Sequence, residues 1–278
     1  MFALLMLKER LLTVAIVLPL FLGLMFFAPN PVWGAVLGIA TAAAAVEWAR
    51  LCGLKAGGQA VFAALIAASG AAWLAAGALP AWQPLRLSAL QILLALAVLF
   101  WAVAVPCWLY FGWRSRSREP LLVVGWLVLV PAWLAVTLLQ QTPLLLFVAL
   151  SVVWLADTAA YFVGRRFGRH KLAPQISPGK TIEGLIGAYV LVVIYALILS
   201  MVTQPAVAPA ERLGLLVFAL VLTTLSVAGD LFESWMKRQV GAKDSGHLLP
   251  GHGGILDRID SMTAAMPFAA LYLAYAAR

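Results

Sequence analysis

The sequence predicts an all-α, polytopic integral membrane protein of about nine transmembrane helices, with its N-terminus in the cytoplasm. Three observations carry this reading. Hydrophobic residues make up 64% of the 278-residue chain and charged residues only 11%, far below the roughly 25% charge of soluble domains. The apolar residues fall into runs of about the 20-residue length that a bilayer core requires. The nineteen Lys and Arg residues are spread very unevenly over the segments between those runs, which sets the orientation.

The first run, 11–28, follows Lys8-Glu9-Arg10. No small-x-small cleavage pattern occurs in Phe26-Phe27-Ala28-Pro29-Asn30, so it reads as a true span and not a signal peptide. Runs at 32–49, 61–79, 87–111 and 120–139 follow. The basic loop Arg114-Ser115-Arg116-Ser117-Arg118 precedes the last of these and fixes topology. Residues 1–140 thus read as an N-terminal transmembrane scaffold. Glu47 is its polar exception: with Arg50 one turn on, it reads as a helix-end ion pair, with a place in a polar cavity as the alternative.

The later runs, 144–163, 182–203, 213–232 and 262–277, belong to a C-terminal catalytic region, 141–278. With the N-terminus inside, sixteen basic residues fall on the cytoplasmic side and only Arg86, Arg212 and Arg278 outside. This partition explains most of the formal charge of +8. Attraction to anionic membrane lipids accounts for the rest, and no nucleic-acid partner is expected. Cys52 and Cys107 lack the spacing of a disulfide or zinc site.

The polar residues of the second half are few and concentrated. Asp157 lies inside the apolar stretch Val152–Tyr161, where an ionised carboxylate is costly and by default functional. An ion pair with Arg165 or Arg166 is the structural alternative. Asp230 ends the apolar run Leu213–Ala228 and shares a helix face with Glu233, and Gly229 beside it admits a closely approaching backbone or ligand. Asp257 and Asp260 have the same spacing if the chain after Gly254 is helical. Between these pairs the turn Pro250-Gly251-His252-Gly253-Gly254 lets the acidic groups fold back toward one another. Asp157, Asp230, Asp257 and Asp260 therefore form a candidate metal set. Carboxylate oxygens without thiols or paired histidines suit Mg2+.

Ser177-Pro178-Gly179-Lys180-Thr181 reads as a small Gly-containing loop that opens a helix at Thr181. Its backbone amides would face a phosphate, although the glycine spacing is too short for a Walker loop. Lys180, Lys237, Arg238, Lys243 and Arg258 supply cations for a triphosphate and a lipid phosphate.

Ser234, Lys237-Arg238, Lys243-Asp244, Pro250–Gly254 and Asp257-Arg258-Ile259-Asp260 span 27 residues. Upstream stand Asp157-x-x-Ala160-Tyr161-x-x-Gly164-Arg165 and Ser177-Pro178-Gly179-Lys180-Thr181-x-Glu183-Gly184. Together these blocks resemble the signature of the phosphatidate cytidylyltransferases, or CDP-diacylglycerol synthases. The likeness covers the C-terminal half in detail; the N-terminal half agrees in being a series of spans, with Glu47-Trp48 a weaker match. It implies a multi-pass enzyme of the bacterial inner membrane, its active site facing the cytoplasm. The reaction would move the cytidylyl group of CTP to phosphatidate with Mg2+, giving CDP-diacylglycerol and pyrophosphate, in a homodimer.

On the same resemblance the catalytic group is Asp230, Lys237, Asp244, His252, Asp257 and Asp260. Ser177, Lys180, Thr181, Glu183, Ser234, Arg238, Lys243 and Arg258 bind substrate. Phosphatidate is already an anionic nucleophile, so His252 reads as orienting the turn or bonding a phosphate more than as a general base. Charge neutralisation and in-line positioning are what the reaction needs. A CTP-dependent lipid kinase is the alternative within enzymes. An ion-coupled transporter is disfavoured, because the charges gather at one membrane face and no internal repeat occurs.

Overall fold

The computed structural model describes residues 2–76, 83–115, 117–203, 208–248 and 253–276, with side chains except at 2–14, 83–85 and 276. Its helices are α1 (Phe2–Phe27), α2 (Asn30–Leu51), α3 (Ala56–Ala76), α4 (Gln83–Leu99), α5 (Val105–Phe111), α6 (Arg118–Leu139), α7 (Pro143–Phe167), α8 (Ile182–Thr203), α9 (Pro209–Gln239) and α10 (Leu256–Ala276). Proline stands within the first two positions of α2, α7 and α9, where its missing N–H costs no intrahelical bond. A π turn, Phe100–Ala104, joins α4 to α5. There Val105 N–H bonds to the Phe100 carbonyl, and Pro106 next to it has no N–H with which to restore the tighter ladder.

Among the described residues seven helical stretches are long and apolar enough to cross a membrane: α2, α3, Arg86–Phe111, α6, α7, α8 and α9. The apolar part of α1 with described side chains, Ala15–Phe27, is shorter than these. The protein is a polytopic, predominantly α-helical membrane protein.

Two elements differ from the sequence reading. Ser177–Thr181 is not a loop but strand β2, paired antiparallel with β1 (Lys171–Ala173), so that Lys171 faces Thr181 and Ala173 faces Ser177. Pro174 at the second position of the connecting turn favours this hairpin, and Ile176 N–H closes it on the Ala173 carbonyl at 3.1 Å. Helix α9 also runs on past its apolar stretch to Gln239, 31 residues in all, because the Glu233–Lys237 pair one turn apart supports its last turns. At 1.5 Å per residue it is about 46 Å long, against a hydrocarbon core of about 30 Å. Asp230, Glu233, Ser234, Lys237 and Arg238 therefore all project from rigid helix.

Helix α7 lies along α8, α9 along α10, and α10 also touches α6 and α4. The end of α9 is held by Phe232, whose ring meets Phe100, Trp101 and Trp108 edge-on at 5.5–5.8 Å and lies 6.3 Å from Trp48. Trp48 Nε1–H in turn donates to the Leu121 carbonyl at 2.8 Å. Lipid offers no hydrophobic drive for helix association, so such packing and internal hydrogen bonds do the joining.

Candidate active site

The ends of α7, α9 and α10, together with β2 and the loop after α9, enclose a cavity of about 1020 Å³. Asp157, Tyr161 and Arg165 line it from α7. Ser177, Lys180 and Thr181 come from β2, Asp230 and Lys237 from α9, Asp244 from the loop, and Asp257, Arg258 and Asp260 from α10. The wall also holds Val153, Trp154, Leu185, Val227 and Met262, so the same space has a charged part and an apolar part.

Opposite charges organise the polar part. Lys180 Nζ lies 2.7 Å from Asp230 Oδ2, and Ser234 Oγ–H donates to Asp230 Oδ1 at 3.3 Å. Lys237 Nζ, almost wholly buried, donates to Glu233 Oε2 at 2.8 Å and to Asp257 Oδ1 at 2.6 Å. Asp230 acts electrostatically on both Asp157 and Asp260. Asp157 pairs with neither Arg165 nor Arg166. Its Oδ2 accepts from Ser261 Oγ at 3.4 Å, which ties α7 to α10, while Arg165 donates to Tyr161 Oη at 3.0 Å.

Asp257 has both oxygens engaged. Besides Lys237 it accepts at Oδ2 from Gly254 N–H, Ser245 N–H and Ser245 Oγ at 2.8–3.0 Å. The Gly254 bond caps the first turn of α10, and the Ser245 and Lys237 bonds tie that turn to the loop after α9 and to α9 itself. Gly253, with φ +82°, occupies the left-handed region that only glycine enters without cost, and an added Cβ would stand 2.8 Å from Asp257 Oδ2.

Other residues expected at the substrate turn elsewhere. Glu183 accepts from Arg169 N–H at 3.0 Å and from His170 N–H at 3.2 Å, and its Oε1 lies 2.6 Å from His170 Nδ1, so it anchors the chain leaving α7. Thr181 lines the cavity, yet its Oγ1 accepts from Gly184 N–H at 3.1 Å and so caps α8. Arg238 donates to the Ile176 and Ala242 carbonyls, bracing the hairpin against the end of α9. Lys243 is exposed and outside the cavity lining. His252, with Pro250 and Gly251, lies outside the described residues.

Residues 8–276 match the cytidylyltransferase family. The chain belongs to that family. It is 40% identical to the phosphatidate cytidylyltransferase of Pseudomonas aeruginosa over 276 residues, 96% of this chain and 97% of the relative. The phosphatidate cytidylyltransferases of Haemophilus influenzae and Bacillus subtilis are 48% and 46% identical over 126 and 129 residues, covering 45% and 46% of this chain and 43% and 47% of theirs.

For a cytidylyltransferase the cavity offers oxygen donors and cations but no ready-made cage. Among the described residues no three His, Cys, Asp or Glu side chains are grouped closely enough to hold a metal by themselves. Magnesium does not demand that, since it is commonly held by one or two carboxylates with substrate phosphates and water completing the shell. Asp157, Asp230 and Asp260 all line the cavity, and carboxylate oxygens of this kind are a donor set that a hard cation fits.

One residue of the polar network gains its partners only in three dimensions. Glu47, on α2 and 3% exposed, does not pair with Arg50. It accepts from Ser245 Oγ, Ile255 N–H and Leu256 N–H at 2.9–3.1 Å. Arg50 donates to the Ser245 carbonyl.

Proposed function

We propose that the protein transfers the cytidylyl group of CTP to phosphatidate, releasing pyrophosphate and leaving CDP-diacylglycerol in the bilayer. The observation that carries this is a single cavity joining a charged end, with Lys180, Lys237 and Arg258, to an apolar wall of Val153, Trp154, Leu185, Val227 and Met262. A reaction between a lipid and a soluble nucleotide needs both. An oxygen of the lipid phosphate attacks the α-phosphorus of CTP. The bond from that phosphorus to the bridging oxygen of the β-phosphate breaks, and the electron pair leaves with pyrophosphate.

The chain's own part is to neutralise and orient. Lys180 and Arg258 gather the phosphates, and Lys237, fixed by two carboxylates, stabilises the charge that builds on the phosphoryl oxygens. Magnesium, when bound by Asp230 with Asp157 or Asp260, supplies further neutralisation of the triphosphate. Asp257, Glu233 and Ser234 hold Lys237 and Asp230 in place.

The same reading has the N-terminus in the cytoplasm and nine crossings, supported by the sixteen-to-three partition of basic residues. Residues 1–140 act as scaffold and 141–278 as the catalytic region. The protein resides in the inner membrane as a homodimer with its active site toward the cytoplasm.

The test is purified protein in detergent with phosphatidate, magnesium and cytidine-labelled CTP. Label in the lipid fraction with equimolar pyrophosphate is expected. Label that stays in solution while the lipid gains a phosphate would assign a lipid kinase instead.

A further inference from the structure

None of the cavity's lining residues precedes Val153, yet the turn that shapes it is held from α2. Glu47 Oε2 accepts from Ser245 Oγ and Leu256 N–H, both at 2.9 Å, and Oε1 accepts from Ile255 N–H at 3.1 Å. Two of these donors, Ile255 and Leu256, belong to the start of α10, whose first N–H groups have no intrahelical acceptor. Gly246 and Gly254 make room for the carboxylate, and a Cβ on either would overlap it. From Ser245 the connection runs on: its N–H and Oγ meet Asp257 Oδ2 at 2.9 and 3.0 Å, and Asp257 Oδ1 receives Lys237 Nζ. The Ser245 hydroxyl has one proton and stands between two carboxylate oxygens. It serves one at a time, and the backbone N–H groups carry the remainder.

We propose that Glu47 is a positioning residue for cytidylyl transfer, holding the first turn of α10 and, through Ser245 and Asp257, the Lys237 ammonium in the cavity. This rests on the function proposed above. A filler of space would need only the bulk of Glu47. Every group facing its carboxylate is a donor, so acceptor character is what the place requires. Glutamine has the same size and turns an NH2 onto at least one of those donors. Glu47→Gln thus separates the two roles.

The experiment compares full-length wild type and Glu47→Gln by steady-state kinetics, thermal unfolding and hydrogen–deuterium exchange. Residues that orient a functional group commonly cost 10–100-fold when altered, and since Glu47 acts through Ser245 and Asp257, kcat per folded molecule is expected to fall by about 10-fold, the lower end of that range. KM for CTP and phosphatidate stays near wild type, and exchange quickens at residues 243–248 and 253–256 and not across the other helices. A wild-type kcat with unchanged local exchange overturns the proposal. So does a loss of activity fully matched by a loss of folded protein. Should Glu47→Gln fail to accumulate, Ser245→Ala, which deletes only the shared hydroxyl, decides in the same way: a lower kcat at constant KM supports it and a wild-type kcat overturns it. If wild type makes no CDP-diacylglycerol, the proposed function fails, while the exchange comparison still tells whether Glu47 holds the turn.

Discussion

Gly229 lies against the backbone carbonyl of Asp260, closely enough that a Cβ on Gly229 would overlap that oxygen and stand 3.2 Å from Ala264 Cβ. The obstacle is main chain, which cannot swing aside as a side-chain tip would. Gly229→Ala should push α10 away from α9, moving Asp260 relative to Asp230. Overpacking of this kind costs about 1–3 kcal/mol, so a lower Tm and a large loss of turnover are expected. Gly57→Ala on α3, where nothing lies within 4 Å, is the control. Equal activity of the two variants would remove the close helix crossing from the explanation of the site.

Asp230→Asn and Asp257→Asn should fail differently. Asp230 is partly exposed and shares its oxygens with Lys180 and Ser234, partners that an asparagine can still serve. Its thermal stability should hold while turnover falls and more magnesium is needed for half-maximal rate. Asp257 is buried against Lys237 and three donors from Ser245 and Gly254. Breaking a buried ion pair on one side costs about 3–5 kcal/mol, so its variant should lose both Tm and turnover. Matching melting curves for the two would contradict these assignments.

Lys180→Met keeps the length of the side chain and deletes its charge. A charge-assisted hydrogen bond is worth about 1.5–3 kcal/mol, or roughly a 10–200-fold change in an equilibrium. KM for CTP is expected to rise within that range, while stability changes little at a site open to solvent. Initial rates over a CTP series read this directly. An unchanged KM with a lower Tm would make the Lys180–Asp230 pair purely structural.

Cys52 follows the last residue of α2 and is 6% exposed. Burial pushes its thiol up to about 12. A raised value favours the neutral thiol in the folded protein, so this preference is complete below the ordinary thiol range and fades only as pH rises toward 12. Only the thiolate alkylates. At pH 8 iodoacetamide should spare Cys52 in folded protein and modify it once the protein is denatured, as peptide mass analysis would show. Rapid labelling of folded protein would mean that this end of α2 opens readily.

The charged side chains that share the cavity were legible because charge in an apolar chain is conspicuous. Asp157, Lys180, Asp230, Lys237, Asp257 and Arg258 were each marked by an apolar neighbourhood or by a glycine-rich turn. Glu47 stands out by the same rule, as an ion pair with Arg50 or a member of a polar cavity, but its partners lie 198–209 residues on and no local reading names them. The hairpin was hidden for a similar reason: Ser177–Thr181 becomes a strand only because Lys171–Ala173 lies beside it. Glu183 and Arg238 have the charges of ligands, and nothing in their spacing announces that Glu183 meets the backbone of Arg169 and His170 and the His170 ring, or that Arg238 meets two carbonyls.

The reach from Glu47 to Ser245 also orders the making of the protein. A ribosome adding about 5–20 residues per second needs roughly 10–40 s to travel the 198 residues between them. During that interval α2 is already synthesised, and its carboxylate has none of the three donors that will bind it. Termination between Gln239 and Ser245 leaves a chain that carries α1–α9 but never makes the bonds to Glu47. The lock comes late: a glutamate made near the beginning waits for a turn made near the end.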